Sequence, residues 1–326
     1  MRTALVTGAT GFLGGHVVRA LDGLGWRVRA LARDPPRAAT LLPAGTEIYG
    51  GDLSAATDLE GACRDCEAIV HVAGLVKARG LEDYREVNAR GTERLLRAAA
   101  RSAPGALFLL VSSQAAVGPA RMGRPVAESD APRPISWYGL SKREGEEAVE
   151  CLWAGAWIIV RPAVIYGPGD RGLLTIFRAA ARGMVPVPGD GRHIQVIAAE
   201  EAAAAIARAV ERRDLVGRRG FLCDPEPIAV RALCVAIASL PPKPARLVRV
   251  PDFAVRAAGL LASIGERALG RSLAFNSDKA REILAGEWVC DPLPLRRDLG
   301  LGAPTPLEDG LRETWNWYAA CGWLPL

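Results

Sequence analysis

At 326 residues, half of them apolar and about a quarter charged, the chain can bury a large core and has the balance of a globular protein. Its net charge of +5 and pI near 8.9 invite a nucleic-acid reading, but the arginines are scattered and no aromatic-flanked basic stripe gathers them, so that partner is set aside. Only four of the 41 basic residues are lysines (Lys77, Lys142, Lys243, Lys279), which points to a coding bias toward arginine rather than to a binding surface.

The amino terminus runs directly into a strand, Thr3–Thr7, with no apolar stretch of the kind that marks a signal peptide. The turn Thr7-Gly8-Ala9-Thr10-Gly11-Phe12-Leu13-Gly14 follows, and then a helix to about Leu24. Strand, glycine turn and helix in that order make a dinucleotide cradle. Gly8 suits the tight turn, Gly11 allows a pyrophosphate close to backbone N–H groups, and Gly14 allows close packing of helix on strand. Thr10, Phe12 and Leu13 complete the loop that would hold the cofactor.

Strand 2 is expected at Arg27–Ala32 and ends Leu31-Ala32-Arg33-Asp34. An acidic residue here would bond the ribose 2′-hydroxyl of NAD, whereas an arginine would neutralise the 2′-phosphate of NADP. Arg33 comes first, which favours NADP, and Asp34 keeps NAD open. Arg29 lies on the same side of the strand as Arg33 and is either a second cation for the site or a solvated residue. Glu47–Tyr49 is a third strand leading to Asp52-Leu53, where Asp52 either accepts from the adenine amine or caps a helix starting near Ser54. Ala68–Val72 is a fourth, followed by Ala73-Gly74, a small step against which a cofactor can lie; His71 within it reads as a packed residue. The pair Cys63/Cys66 has redox spacing but no second pair, so it carries no metal reading; no metal site is expected.

A long helix from about Glu86 to Arg101 leads to strand 5, Leu107–Val111, which ends in Ser112-Ser113. A hydroxyl at this strand end can bond a substrate oxygen. A helix from about Tyr138 to Trp153 carries Tyr138 and Lys142 four positions apart, on one face. The ammonium is expected to lower the tyrosine's pKa, suiting it to proton exchange with a substrate hydroxyl or carbonyl. Lysine in a chain that otherwise writes its positive charge as arginine adds weight to this pair. Strand 6 is Trp157–Val160.

The resulting fold class is α/β, a Rossmann-type doubly wound parallel sheet, with a dinucleotide-binding domain over residues 1–165 and a smaller, loop-rich, substrate-binding C-terminal domain over 166–326. The helix at Ala198–Val210 and the strand at Gly220–Cys223 are expected to return to the main sheet, segment 196–223. Pro241–Pro244 is a break, and a Trp-rich amphipathic helix ends the chain. Arg171, Arg178, Arg192 and Gln195 read as solvated surface with an anion site as the alternative. Phe253–Ile264, twelve residues with Arg256 among them, is too short to span a bilayer and reads as a buried helix face, with a peripheral lipid contact as the alternative. Seven cysteines, an odd number, suggest free thiols in a reducing cytoplasm.

Together, the Thr7–Gly14 loop, Asp52-Leu53, Ala73-Gly74, Asn88-Ala89-Arg90-Gly91-Thr92, Ser112-Ser113, Tyr138-Gly139-Leu140-Ser141-Lys142 and the run Arg161–Asp170 resemble the extended short-chain dehydrogenase/reductase family. The resemblance spans residues 3–170 and continues more faintly to Trp317-Tyr318. It implies a catalytic triad of Ser113, Tyr138 and Lys142, favouring Ser113 over Ser112 by its 25-position gap to Tyr138, and it places Pro162 and Val164 beside the nicotinamide. It also suggests a homodimer through the helix carrying Tyr138. Gln114-Ala115 stands where the family's sugar dehydratases carry Asp-Glu, which argues against that reaction; Pro162-Ala163 weakens sugar epimerisation. The stretch Arg29–Pro35 looks like the dihydroflavonol reductase and hydroxysteroid dehydrogenase branch. Hydride transfer between NADP and a hydroxyl or ketone of a small-molecule, fairly apolar substrate is therefore the leading expectation. A nucleotide-sugar epimerase comes second and a non-catalytic NADP-binding protein third.

Overall fold

A computed structural model of the protein describes residues 2–121, 123–189, 191–269 and 275–325. In the first half, β1 (Thr3–Thr7), α1 (Phe12–Gly23), β2 (Arg27–Ala32), α2 (Pro35–Leu41), β3 (Glu47–Gly50), α3 (Leu59–Cys63) and β4 (Ala68–His71) alternate. Then come α4 (Leu81–Asn88), α5 (Arg90–Ser102), β5 (Leu107–Val111), α6 (Trp137–Leu152), β6 (Trp157–Pro162), β7 (Val164–Tyr166), α7 (Leu174–Ala181), β8 (Met184–Pro188), β9 (His193–Ile194) and β10 (Val196–Ala198). The chain closes with α8 (Ala199–Glu211), β11 (Arg218–Leu222), β12 (Ile228–Ala229), α9 (Val230–Ala238), β13 (Arg246–Val250), α10 (Asp252–Leu269), α11 (Ser277–Leu284), α12 (Leu293–Asp298) and α13 (Leu307–Ala320).

Seven strands form one sheet in the order β11-β6-β5-β4-β1-β2-β3, every neighbouring pair parallel. Strand order reverses between β1 and β4, and a crevice opens beyond their carboxyl ends. Both faces are covered, so strands such as Ala4-Leu5-Val6 are apolar without alternation. Ala4 and Val6 pack toward Val17 and Val18 of α1 and Ile206 of α8. Leu5 points the other way, toward Leu95 and Leu96 of α5 and Val149 of α6. α8 lies against α1, and β11 extends the sheet past β6. A third core, built around Tyr166, Phe177, Val185, Ile237, Trp315 and Tyr318, supports the C-terminal region.

Several expectations are corrected. The single helix at Glu86–Arg101 is two helices, interrupted at Ala89. Asp34 caps α2 through one carboxylate oxygen, accepting from the Arg37 N–H at 3.1 Å, which leaves its second oxygen unused by the cap. Arg29 is turned away from the cofactor crevice and held by Glu47 (2.7 Å) and by the carbonyls of Ala62 and Arg64. Asp52 caps no helix: it accepts from Ser54 N–H and Thr57 Oγ1 within its own loop. Gln195 is buried, donating to the Asp224 and Pro225 carbonyls and accepting from Cys290 N–H, and Arg192 pairs with Asp252 at 2.6 Å. The segment Phe253–Ile264 is not a buried face: α10 exposes Phe253, Leu260, Leu261 and Ile264. No helix among the described residues is long and apolar enough to cross a membrane.

Candidate active site

The turn after β1 is shaped by sterics. Gly8 has φ +70°, and a Cβ on it would stand 2.7 Å from the Ala73 Cα. A Cβ on Gly14 would stand 2.0 Å from the Gly8 carbonyl oxygen. Gly11 N–H closes the turn on that carbonyl at 2.9 Å. α1 then begins at Phe12, and no side chain caps its first turn. A bare helix N-terminus over a glycine-rich turn fits a pyrophosphate. Thr10 is exposed at this turn while Leu13 is buried.

Beneath the turn, Thr7 Oγ1 shares a hydrogen bond with His71 Nδ1 (2.7 Å) and accepts from Ala73 N–H (3.2 Å). His71 Nε2 meets Thr92 Oγ1 at 2.9 Å, and Thr92 donates to the Asn88 carbonyl. Burial drives the His71 pKa down to about 3, so the ring is neutral and structural. This chain of bonds fixes the Ala73-Gly74 step against β1.

Asn88 has no role assigned by the sequence reading, yet it ties the far side together. It accepts from Leu75 N–H at 2.7 Å and donates to the Leu75 carbonyl (3.0 Å) and to Ser141 Oγ (2.9 Å). The break at Ala89 lets this side chain turn inward. Gly74 lies between Asn88 and the lysine: a Cβ on it would be 3.3 Å from Asn88 Oδ1 and 3.5 Å from Lys142 Nζ.

The structure brings Ser113, Tyr138 and Lys142 to one place. Ser136 caps α6, accepting from Gly139 N–H at 3.0 Å, and donates in turn to Glu282 of α11 at 2.6 Å. Trp137 N–H donates to the Asp278 carboxylate, also from α11. The helix that carries Tyr138 and Lys142 is thus held at its start by a helix far along the chain. Ser113 Oγ accepts from Ala115 N–H and lies within hydrogen-bonding reach of the Tyr138 phenol. Ser112, one position earlier, is buried.

The electrostatics differ from the sequence expectation. Tyr138 keeps some surface as a residue, but its phenol is enclosed, and burial pushes its pKa up to about 12. Ser113 opposes that rise; Lys142 does not. The Lys142 ammonium donates to the Val111 carbonyl at 2.7 Å. Burial brings its own pKa down to about 8, against the pull of Glu146. Desolvation outweighs the neighbouring charge at both groups.

Arg33 is exposed at the carboxyl end of β2 and joins no hydrogen bond or ion pair among the described residues. Leu53 is buried, while Asp52 keeps partial exposure. Pro162 ends β6 buried beside Leu222, and Val164 opens β7 with its N–H on the Gln195 carbonyl. No cluster of potential metal ligands occurs among the described residues. Cys63 and Cys66 are buried thiols, pushed up to about 12 and about 11 by desolvation.

The sequence profile of the NAD dependent epimerase/dehydratase family matches residues 4–220. The chain belongs to that family. It is an NAD(P)-dependent enzyme of the extended short-chain dehydrogenase/reductase type. It is 37% identical to a ceramide reductase of Caulobacter vibrioides, covering 98% of this chain and 95% of that one. A 4-hydroxy-2-methyl-3-oxo-4-farnesyl-3,4-dihydroquinoline-1-oxide ketoreductase of Stigmatella aurantiaca is 29% identical over 87% of this chain and 91% of its own. The fold matches a UDP-glucose 4-epimerase of Thermotoga maritima solved with UDP-glucose, with a TM-score of 0.79 at 20% identity, covering 98% of this chain and 99% of that one.

As a member of this family the chain uses a nicotinamide cofactor, and the glycine cradle gives a direct test. A methyl group on Gly14 meets backbone 2.0 Å away, which no rotamer change relieves. Overpacking of this kind costs about 1–3 kcal/mol of stability and must displace the Gly8 carbonyl and the turn with it, so Gly14→Ala is expected to lower the melting temperature and to weaken NAD(P)H binding roughly tenfold or more in a fluorescence titration. An unchanged titration curve would place the pyrophosphate elsewhere.

Proposed function

We propose that the protein is an NADP-dependent reductase acting on the ketone of a bulky, lipid-like substrate. The observation that carries this reading is 37% identity to a ceramide reductase across nearly the whole of both chains, combined with convergence of Ser113, Tyr138 and Lys142 at one crevice. The farnesylated substrate named for the Stigmatella aurantiaca relative points the same way.

Gly8, Gly11 and Gly14, with Thr10, Phe12 and Leu13, would hold the pyrophosphate at the start of α1. Asp52 and Leu53 would border the adenine; Ala73, Gly74, Pro162 and Val164 would border the nicotinamide half. The bound dihydronicotinamide supplies the hydride. Tyr138 donates its phenolic proton to the carbonyl oxygen as that oxygen gains charge, and Ser113 steadies the same oxygen through its hydroxyl. A phenol raised to about 12 stays protonated at neutral pH, the form a proton donor needs. Lys142, anchored on Val111, carries positive charge below about pH 8 and would hold the nicotinamide ribose rather than lower the resting pKa of Tyr138.

Support for NADP comes from the end of β2. The carboxylate of Asp34 is engaged as the cap of α2, while the Arg33 guanidinium stands exposed. A charge-assisted hydrogen bond contributes about 1.5–3 kcal/mol, so Arg33→Ser is expected to lower the preference for NADPH over NADH by roughly ten- to a hundredfold. Titrating both coenzymes against both proteins checks this; an unchanged ratio would remove Arg33 from the coenzyme site. The reaction itself is tested by following NADPH absorbance with long-chain ketones. Steady consumption supports a reductase. Cofactor retained through gel filtration and turned over without net consumption would favour the epimerase.

A further inference from the structure

α10 stands apart from the other helices in what it shows to solvent. Phe253, Leu260, Leu261 and Ile264 are 74%, 59%, 69% and 55% exposed. At the spacing of an α-helix they fall within roughly 100° of arc, one continuous apolar stripe. Residues 253–265 carry a single charge, Arg256, which is exposed. The acids flanking this stretch are engaged elsewhere: Asp252 pairs with Arg192, and Glu266 is buried. β13, which leads into the helix, exposes Arg246 and Arg249. The apolar stripe is therefore flanked by Arg256 on its own helix and preceded by exposed arginines on β13, with no acidic group between 253 and 265.

The opposite face of α10 is fixed. Gly259 allows close approach to Ala280 of α11, where a Cβ on the glycine would be 2.7 Å away. Ser263 Oγ and Ser277 Oγ are hydrogen-bonded at 2.9 Å, and Asn276 reaches the Glu266 carboxylate. α11 in turn caps the helix that carries Tyr138, through Glu282 on Ser136 and Asp278 on Trp137 N–H. The exposed stripe is thus one helix removed from the proton donor.

We infer that this face of α10 docks on a membrane surface bearing anionic lipid, setting the active-site crevice beside the bilayer from which an apolar substrate would enter. An amphipathic helix lying in the interface, with basic residues at its margin, binds through buried apolar area plus attraction to anionic headgroups. A second copy would cover the apolar stripe but brings the same arginines in a chain of net charge +5, whereas an acidic soluble partner would leave the protein indifferent to vesicles, an outcome that sedimentation reads. The docking deepens the lipid-like-substrate reading, yet it is measured without substrate, so each can fail separately.

The test is sedimentation of the full-length protein with extruded vesicles, one set of phosphatidylcholine alone and one containing phosphatidylglycerol, with light scattering for mass. The protein is expected to pellet with the anionic vesicles and less with the neutral ones. The double variant Leu260→Gln, Leu261→Gln is expected to lower the bound fraction about tenfold or more while keeping the melting temperature and NADPH titration of the parent. Arg256→Glu, which leaves the apolar stripe intact, is expected to abolish the preference for anionic vesicles. Parent protein remaining in the supernatant with both vesicle types would overturn the inference. So would a double variant that pellets like the parent, or a vesicle-indifferent dimer that the double variant converts to monomer. A chain that binds vesicles but reduces no ketone would keep the docking and lose the substrate reading.

Discussion

Tyr138→Phe is expected to lower ketone reduction by about 10²–10⁴-fold in kcat, the range for loss of a positioned general acid, with NADPH affinity within about twofold of the parent. Phenylalanine keeps the ring that packs 6.0 Å from Tyr84 and removes only the hydroxyl that meets Ser113. The fold and the glycine cradle do not depend on that oxygen, so the melting temperature should be preserved. The pH profile of the parent carries a second signature. Tyr138, raised to about 12, stays protonated across the working range. Lys142, lowered to about 8, is charged below that pH and neutral above it. Reduction should therefore be level through neutral pH and fall as pH rises past about 8, with Lys142 setting the limb. Turnover unchanged in Tyr138→Phe would move the proton donor elsewhere, and a flat profile to pH 10 would detach the rate from the lysine's charge.

The parts of this site visible in the sequence are those made by local pattern. β1 and β5 are legible to the residue because a strand buried on both faces must be an apolar run between turn residues, and β2 because its apolar residues, set between two arginines and a following turn, keep strand spacing. The glycine turn and the Tyr138–Lys142 spacing are legible because each lies within one turn or one helix. The capping role of Asp34 is legible too: an Asp followed by Pro35-Pro36 is a helix cap with proline at the first positions, and one carboxylate oxygen serves that helix. The break at Ala89 left only a faint mark, the poor helix formers Gly91 and Thr92 directly after it, and the inward bonds of Asn88 that accompany it are made to residues distant in sequence. The capping of Trp137 by Asp278 joins residues 141 positions apart, beyond any local reading. The direction of the Tyr138 shift was also hidden. Spacing reveals that a charge is near, but burial decides the sign, and burial is a property of the assembled fold.

Arg161→Met is expected to be the most destabilising single change in the active-site region. Arg161, near the end of β6, and Glu146, one helical turn beyond Lys142, form a bidentate pair with bonds of 2.8 and 2.7 Å, at 1% and 0% exposure. Arg143 adds a third bond to the same carboxylate at 3.1 Å. Removing the guanidinium leaves Glu146 desolvated with one cation in place of two, and breaking a buried pair in this way costs about 3–5 kcal/mol. In a chain of this size that corresponds to a fall in Tm of roughly 4–7 °C, read by calorimetry. The double variant Arg161→Met, Glu146→Leu separates the pair's two roles. Replacing both partners by apolar groups of similar volume is often close to neutral, so most of the lost stability should return. The charge that holds the Lys142 pKa up is then gone, because Glu146 opposes the desolvation of the lysine. The alkaline limb of the rate profile should accordingly move to lower pH in the double variant although its Tm has recovered. Unchanged Tm in Arg161→Met would show the carboxylate to be rehydrated, whereas an unmoved limb in the folded double variant would show that Lys142 takes its charge state from some other group.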